Sequence, residues 1–386
     1  MRTAIIGGGA AGLCAAVTAA EKGDRVVLYE RRMRVGQKLL ATGNGRCNLM
    51  NTGTPHYPGG AAFALRALEA FSKDDLRRFF ERLGLTLRGE AQGRVYPATG
   101  QAASVLNVLV RAVQKYHVHV QTDKTVDTVR PLAAGGFDID GDRFDKLIIA
   151  SGGMASVKPD AAGGAYRILG DLGHPVTRMK PALVPLKADM TGLKGLAGLR
   201  ITAAIALVKD GRVLKKETGE ILFTDYGLSG VCVMQLGRSF IPGAQAHIDL
   251  RPAMGTEGSA EAFFYRRRQT LPFAQAEDFL TGLLATPLAA VVRKRAALTE
   301  LDDASLKRLT EVVCDFMIPV TDTCGFERAQ TTAGGADLAY FTPETMESLL
   351  VKRLHAAGEV LDVDGDCGGY NLMFAFCSGI LAARAD

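Results

Sequence analysis

The stretch Ala4–Glu30, AIIGGGAAGLCAAVTAAEKGDRVVLYE, decides how the rest of the chain is read. It has the outline of an exported leader, because Arg2 precedes a small-residue apolar run that ends in alanines. Three consecutive glycines argue against that. A glycine inside a helix costs about 0.8–1.0 kcal/mol relative to alanine, so Gly7, Gly8 and Gly9 mark a turn rather than the middle of a leader helix. The run is also short of the ~20 apolar residues that a membrane span needs. As strand, turn and helix, every piece acquires a reason. Ala4 to Ile6 is a buried strand, Gly7, Gly9 and Gly12 form G-x-G-x-x-G, Ala10 to Glu21 is an alanine-rich helix, and Arg25 to Tyr29 is a second strand closing on Glu30. The first glycine permits the tight turn, the second lets backbone approach a pyrophosphate, and the third lets helix pack close on strand. The helix start, with Ala10 and Ala11 in its first turn, then offers unpaired N–H groups to phosphate. Glu30 stands where an acid accepts ribose hydroxyls, with Arg31 beside it.

Working outward, 386 residues exceed one ordinary domain and predict two or three. A hydrophobic share of 47% with 23% charged is globular composition, and no other apolar run reaches membrane length. The expectation is a soluble, cytoplasmic protein. Seven cysteines without a C-x-x-C pair fit neither a disulfide framework nor a zinc site, so no metal is expected, and Cys14, Cys232 and Cys314 read as small buried hydrophobes. A net charge of +5 allows a phosphate-rich partner without requiring one.

Residues 31–60 form a long glycine- and asparagine-rich segment whose length points to function. Residues 61–83 have helical spacing, interrupted where Ser72 can cap a second helix. Short strands are expected near Val118, Val126 and Phe137, and FDKLIIASGG is an apolar strand ending in small residues, Ser151, Gly152 and Gly153, where backbone lies flat against a ligand. From 188 to about 250, strand-like patches alternate with turn signals at Asp210-Gly211 and Thr218-Gly219. Residues 256–317 read as helices over AEAFFYRRRQTL, AEDFLTGLLATPLAAVVRKRAAL and DASLKRLTEVVCDF, followed by a strand at MIPVTDT. The glycine-rich style returns in GEVLDVDGDCGGYN, a strand, acids, and a helix opened by Gly368 and Gly369. An NAD-only domain has no need of that returning segment, whereas an elongated FAD does. The expected architecture is α/β: a doubly wound, Rossmann-like domain from residues 1–187 and 336–386, an inserted β-barrel-like unit from 188–255 and 318–335, and a small helical bundle over 256–317.

GGGAAGLCAA, GQKLLATGNGRCNLMN, GRVYPATGQAASV, IIASGGMAS, PALVPLK, GEILFTDYGLSG, TTAGGADL, TMES and GEVLDVDGDCGGYNL together resemble the successive signatures of the YhiN/BaiN-type bacterial flavoproteins. The resemblance runs along nearly the whole chain and is weakest in the helical insert. It implies FAD, with Gln37, Lys38, Gly45, Arg46, Cys47, Asn48, Gly358, Glu359, Asp364, Tyr370, Asn371 and Leu372 joining the residues above around the cofactor. It also implies reduction of a carbon–carbon double bond, in a uridine of large-subunit ribosomal RNA or in the conjugated enone of a bile-acid intermediate. Four features depart from the family. Asp225 stands where many relatives carry His, Val231 where proline often follows, Cys377 where a hydroxyl residue is usual, and KRLHAAGE where an aromatic GLYFAGE is common.

The chemistry follows from the reaction. Hydride from reduced flavin N5 adds to the β-carbon of an activated alkene, and the resulting enolate needs a proton. Cys47, Tyr370, Cys367 and Asp225 are the candidate acids or polarising groups. A cation such as Arg46 next to Cys47 is expected to depress its thiol, although the preferred reading of Cys47 is packing beside the ring. Arg46 is expected at the pyrophosphate or the N1–O2 flavin edge, Asn371 as a helix N-cap, and Asp362 with Asp364 at ribityl hydroxyls or in a turn. No second G-x-G-x-x-G follows a strand, so NAD(P)H is expected to dock transiently as reductant. The basic runs Arg266–Arg268 and Arg293–Arg295 favour the RNA uridine over the enone, even though residues 256–317 carry eight basic against nine acidic side chains, a net of −1. The rival readings are a flavin-binding redox sensor without turnover and an oxidase.

Overall fold

A computed structural model describes residues 1–156, 164–256 and 258–386. The chain forms two compact units, one from Met1–Lys180 with Thr331–Asp386 and the other from Pro181–Gln330.

The first unit is built on a five-stranded parallel sheet in the order Leu354–Ala356, Lys146–Ile149, Arg2–Ile6, Arg25–Tyr29, His119–Gln121. The inner strands are rich in aliphatic residues because a parallel sheet is buried on both faces; Ile5, Leu28, Leu147, Ile148 and Ala356 are fully buried, whereas the edge strand His119–Gln121 is polar and partly exposed. The helix Ala10–Glu21 crosses from the first strand to the second, and the C-terminal helix Tyr370–Arg384 packs on it closely. Gly379 makes that approach possible, since a Cβ there would lie 2.2 Å from the Ala11 carbonyl oxygen. In chain order, Arg25–Tyr29 and His119–Gln121 follow outward on one side of Arg2–Ile6, while Lys146–Ile149 and Leu354–Ala356 lie on its other side. This reversal makes a crevice beyond the carboxyl ends of the strands, the place where open α/β sheets bind ligands. Ser72 caps the helix Lys73–Arg82 in a reciprocal capping box with Asp75. The strand expected near Val126 is absent; Val126 is instead buried in a loop between His119–Gln121 and Arg130–Pro131.

The second unit contains a closed antiparallel barrel of six strands, in the order Leu186–Ala188, Gly227–Ser229, Arg212–Phe223, Arg200–Lys209, Gln245–Asp249, Phe316–Thr323. Alternation does the work here: Ala203, Ile205 and Leu207 point inward and are fully buried, as are Ile221, Phe223 and Ile248 on neighbouring strands. Asp210-Gly211 makes the expected hairpin turn, both residues having positive φ. Thr218-Gly219 does not turn; it lies within the twelve-residue strand Arg212–Phe223. The helices Ala260–Thr270, Thr286–Arg295 and Asp303–Cys314 share one apolar cluster with the barrel through Phe264, Phe279, Leu288 and Leu309. The long middle helix expected from residue 276 is only Thr286–Arg295, because Gly282 takes a left-handed φ of 74° and Pro287 sits in the first turn. Among the described residues no helix is long and apolar enough to cross a membrane, and no group of three His, Cys, Asp or Glu residues is arranged to hold a metal ion.

Candidate functional site

The three glycines of the first turn are distinguished by what surrounds them. Gly7 has φ +107°, and a Cβ there would lie 2.5 Å from the Ala150 carbonyl oxygen. A Cβ on Gly12 would lie 1.8 Å from the Gly7 carbonyl oxygen, so only glycine lets this helix approach its strand. Around Gly9 there is open space, with nothing within 4 Å of a Cβ. Gly9 is also the N-cap of Ala10–Glu21, and no side chain caps that helix. Its first-turn N–H groups therefore have no side-chain partner and open space beside them.

Glu30 accepts from the N–H groups of Gly8 and Arg32, each at 2.8 Å. It borders a cleft of about 660 Å³ whose walls include Arg31, Lys124, Val126, Ser151, Gly152 and Tyr166. Gly7 and Gly153 line the same cleft. Burial, then the charge of Arg32, lowers the Arg31 guanidinium from its ordinary value. Tyr166 and Lys124 were not picked out by the sequence reading. Neither carries a motif signal, and both reach the cleft only through the tertiary fold.

The returning segment supplies a second helix start. The helix Tyr370–Arg384 begins at Gly369, which has φ +104° and again no side-chain cap. Here the backbone of Met50 stands 2.7 Å from where a Cβ would be and Asn48 Oδ1 stands 2.9 Å away. Asn48 Oδ1 is a buried acceptor without a protein partner. An uncapped helix start open to space, a second one beside an orphaned amide, and an acid at the end of the second strand fit a dinucleotide. FAD suits this donor set, because both ends of the chain contribute to it.

Two of the expectations are corrected, the N-cap role of Asn371 and the activated thiol of Cys47, and the other residues named for the cofactor have the partners given below. Asn371 is not the N-cap; its amide bonds Gly365, accepting from that N–H at 2.8 Å and donating to the carbonyl at 2.7 Å. Cys47 is fully buried with φ +55°, and desolvation pushes its thiol up to about 12, opposite to the activation expected from Arg46. Arg46 pairs with Glu90 at 2.6 Å and stacks over Tyr96 at 4.1 Å. Asp362 accepts from Gly334 N–H at 3.0 Å and from the Thr177 hydroxyl at 2.8 Å. Asp364 is buried beside Gly59, to which its backbone is bonded. Gln37 accepts from Arg32 at 3.2 Å, Gly45 is exposed with φ +82°, and Gly368 and Leu372 flank the helix start. Lys38 and Glu359 form an ion pair at 2.7 Å, and Gly358, with φ +75°, abuts Ala11.

Of the four candidate acids, Tyr370 and Cys367 lie at this helix start. Burial, and then Asp366, raises the Tyr370 phenol, with Arg94 opposing. Burial also raises the Cys367 thiol. Asp225 lies in the second unit, exposed in the turn between Arg212–Phe223 and Gly227–Ser229. Three of the six basic residues credited with binding RNA are held within that unit, while Arg266 and Lys294 are exposed. Arg267 donates to the carbonyls of Phe279 and Thr281, Arg268 to Leu301 and the carboxylate of Asp303, and Arg295 to Met317 while stacking over Phe316.

Fold and site define an FAD-dependent oxidoreductase. The chain belongs to the HI0933-like protein Rossmann domain family, whose model matches residues 1–385. It is 36% identical to a 3-dehydro-bile acid delta(4,6)-reductase of Clostridium scindens, over 100% of this chain and 98% of that protein. It is 29% identical to a ribosomal RNA dihydrouridine synthase of Escherichia coli, over 98% of this chain and 96% of that one. Among solved structures it resembles a 3-ketosteroid delta1-dehydrogenase from Sterolibacterium denitrificans, at 12% identity and a TM-score of 0.50, over 99% and 98% of the two chains. That last likeness is one of fold.

Proposed function

We propose that this protein reduces the activated carbon–carbon double bond of a small conjugated carbonyl compound. Bound FAD, once reduced, supplies the hydride, with NAD(P)H as the external donor. The residues that would hold it are the first turn at Gly9–Ala11, Glu30 with the cleft beside it, the Ser151–Gly153 turn, and the start of the last helix with Asn48. The observation that carries the small-molecule reading is the engagement of Arg267, Arg268 and Arg295 with carbonyls of their own unit. Half of the basic residues that favoured RNA are thus tied to their own unit, and the relative at 36% identity acts, by its name, on a bile acid. The uridine reading keeps the support of the relatives named for it in two species, at 29% and 27% identity.

Tyr370 is the proposed proton donor. Its environment keeps the phenol protonated near neutrality, and glycines stand close to its side chain: a Cβ at Gly365 would lie 2.8 Å from Tyr370 Cβ, and one at Gly368 would lie 3.3 Å from its ring. Cys47 is unsuited to the role, because a sealed thiol has no route to substrate.

The test is to photoreduce the holoenzyme without oxygen and mix it with a panel of conjugated enones, with a uridine-containing ribosomal RNA transcript, or with air. Rapid return of the oxidised flavin spectrum with an enone, and of saturated product, is expected. Reoxidation by RNA alone would overturn the substrate class, and reoxidation by air alone, with peroxide, would mark an oxidase. Tyr370→Phe should slow the enone reaction by roughly 10²–10⁴-fold while FAD binding is retained.

A further inference from the structure

We infer that Lys38 serves the FAD site as the counter-ion of Glu359 rather than as a phosphate ligand, and that this pair clasps the two ends of the chain around the cofactor. Lys38 sits on the short helix Gln37–Ala41, and its ammonium donates to Glu359 Oε2 at 2.7 Å across 321 residues of chain. The other carboxylate oxygen, Oε1, accepts from Thr332 N–H at 2.9 Å. The Thr332 hydroxyl oxygen accepts in turn from the N–H groups of Met154 and Ala155, at 2.8 and 3.0 Å. The Ser151–Gly153 turn rests directly on this node. A Cβ on Gly153 would lie 2.5 Å from Thr332 Oγ1 and 2.7 Å from Glu359 Oε1. One residue earlier, Gly358 comes so near the phosphate-facing helix that a Cβ there would lie 3.0 Å from Ala11 Cβ.

Four segments far apart in sequence therefore meet at one carboxylate, next to the helix start where a pyrophosphate binds. The Glu359 side chain is 19% exposed and that of Lys38 is 34% exposed. A carboxylate this covered needs a compensating charge. Without Lys38 it would stand unpaired in the same crevice as a dianionic pyrophosphate. Lys38 is in this sense a positioning residue: it acts on the cofactor through Glu359.

The inference rests on the FAD reading of the site and is independent of which substrate is reduced. The experiment titrates deflavinated protein with FAD, for wild type, Lys38→Met, Lys38→Arg, Glu359→Gln and the double variant Lys38→Met/Glu359→Gln. Lys38→Met should weaken FAD binding at least about tenfold, since removing one partner strands a charge. Lys38→Arg should retain most of the affinity, and the double variant should bind clearly better than Lys38→Met alone. A double variant as weak as Lys38→Met, or weaker, would overturn the inference and return Lys38 to the phosphates. If Lys38→Met does not fold, the double variant, which carries no stranded charge, decides against Glu359→Gln: similar affinities support the counter-ion role, and a further tenfold loss overturns it. Wild-type protein that takes up no FAD would instead defeat the cofactor reading itself.

Discussion

Two helix starts in the first unit contrast sharply. At Lys73–Arg82, Ser72 Oγ accepts from the Asp75 N–H at 3.1 Å and the Asp75 carboxylate accepts from the Ser72 N–H at 3.0 Å. At Ala10–Glu21 the capping position is Gly9, no side chain reaches the first turn, and the space beyond is open. Two helices of the second unit are also capped by a side chain, Ala260–Thr270 by Ser259 and Asp303–Cys314 by Asp302. Gly60 also opens a helix without a side-chain cap, but the Asp362 carbonyl oxygen would stand 2.6 Å from a Cβ there. The difference teaches that a missing cap alone says little. A second sign is needed, open space at Gly9 or the orphaned Asn48 Oδ1 beside Gly369, before a helix start is read as one whose N–H groups a ligand completes.

The contrast breaks most completely at Gly12. Gly12→Ala places a methyl 1.8 Å from the Gly7 carbonyl oxygen, and backbone on both sides leaves no flexible partner to yield. The expected result is a loss of about 3 kcal/mol or more of stability, read by denaturant unfolding of the deflavinated protein, with FAD uptake lost as a consequence. Unaltered unfolding would mean that the helix and strand do not approach as described.

Gly9→Asp sharpens the contrast by giving the open helix the cap it lacks. Gly9 already has an extended backbone, φ −85° and ψ −163°, that Asp adopts without strain. The deflavinated protein should gain a few tenths to about 1 kcal/mol from the new acceptor and its charge at the helix dipole. FAD affinity should fall by about a hundredfold or more, because a carboxylate then occupies the phosphate position. Opposite signs for stability and binding at one residue are the signature of a reserved site. Parallel losses would show Gly9 to be purely structural.

The same contrast explains what the sequence made legible. Gly7, Gly9 and Gly12 were readable because turn chemistry and helix packing are local demands, and so were the Ser72 cap and the Asp210-Gly211 hairpin. Gly219 misled because its partner is distant: it lies opposite Ala203 in the barrel, against Cys232, and a strand passes through it. Cys47 misled for a similar reason. Its neighbour Arg46 was visible in the sequence, but Glu90, which takes up the guanidinium, and the burial that raises the thiol belong to the fold. Lys38 and Glu359 were each placed near the cofactor, yet nothing in either motif announced that they bind one another.

The smallest expected effect lies on the capped side. Asp75 accepts from Ser72 and Arg78, which hold its carboxyl at about 2, below the ordinary 3.8. The folded-state pKa is depressed, so this contribution is fully present above about pH 3.8 and is lost as pH falls through 2. The carboxylate side chain is 38% exposed, and solvent screening reduces the contribution to no more than about 1 kcal/mol. Ser72→Ala removes the reciprocal partner and should cost about 1 kcal/mol at neutral pH, and it should flatten the acid limb of the stability curve between pH 4 and 2. FAD affinity should stay unchanged, because this helix start has already satisfied its own N–H groups and keeps none for a ligand. A Ser72→Ala protein that binds FAD markedly less tightly would dissolve the distinction between capped and reserved helix starts, since a closed cap would then be supporting the cofactor after all.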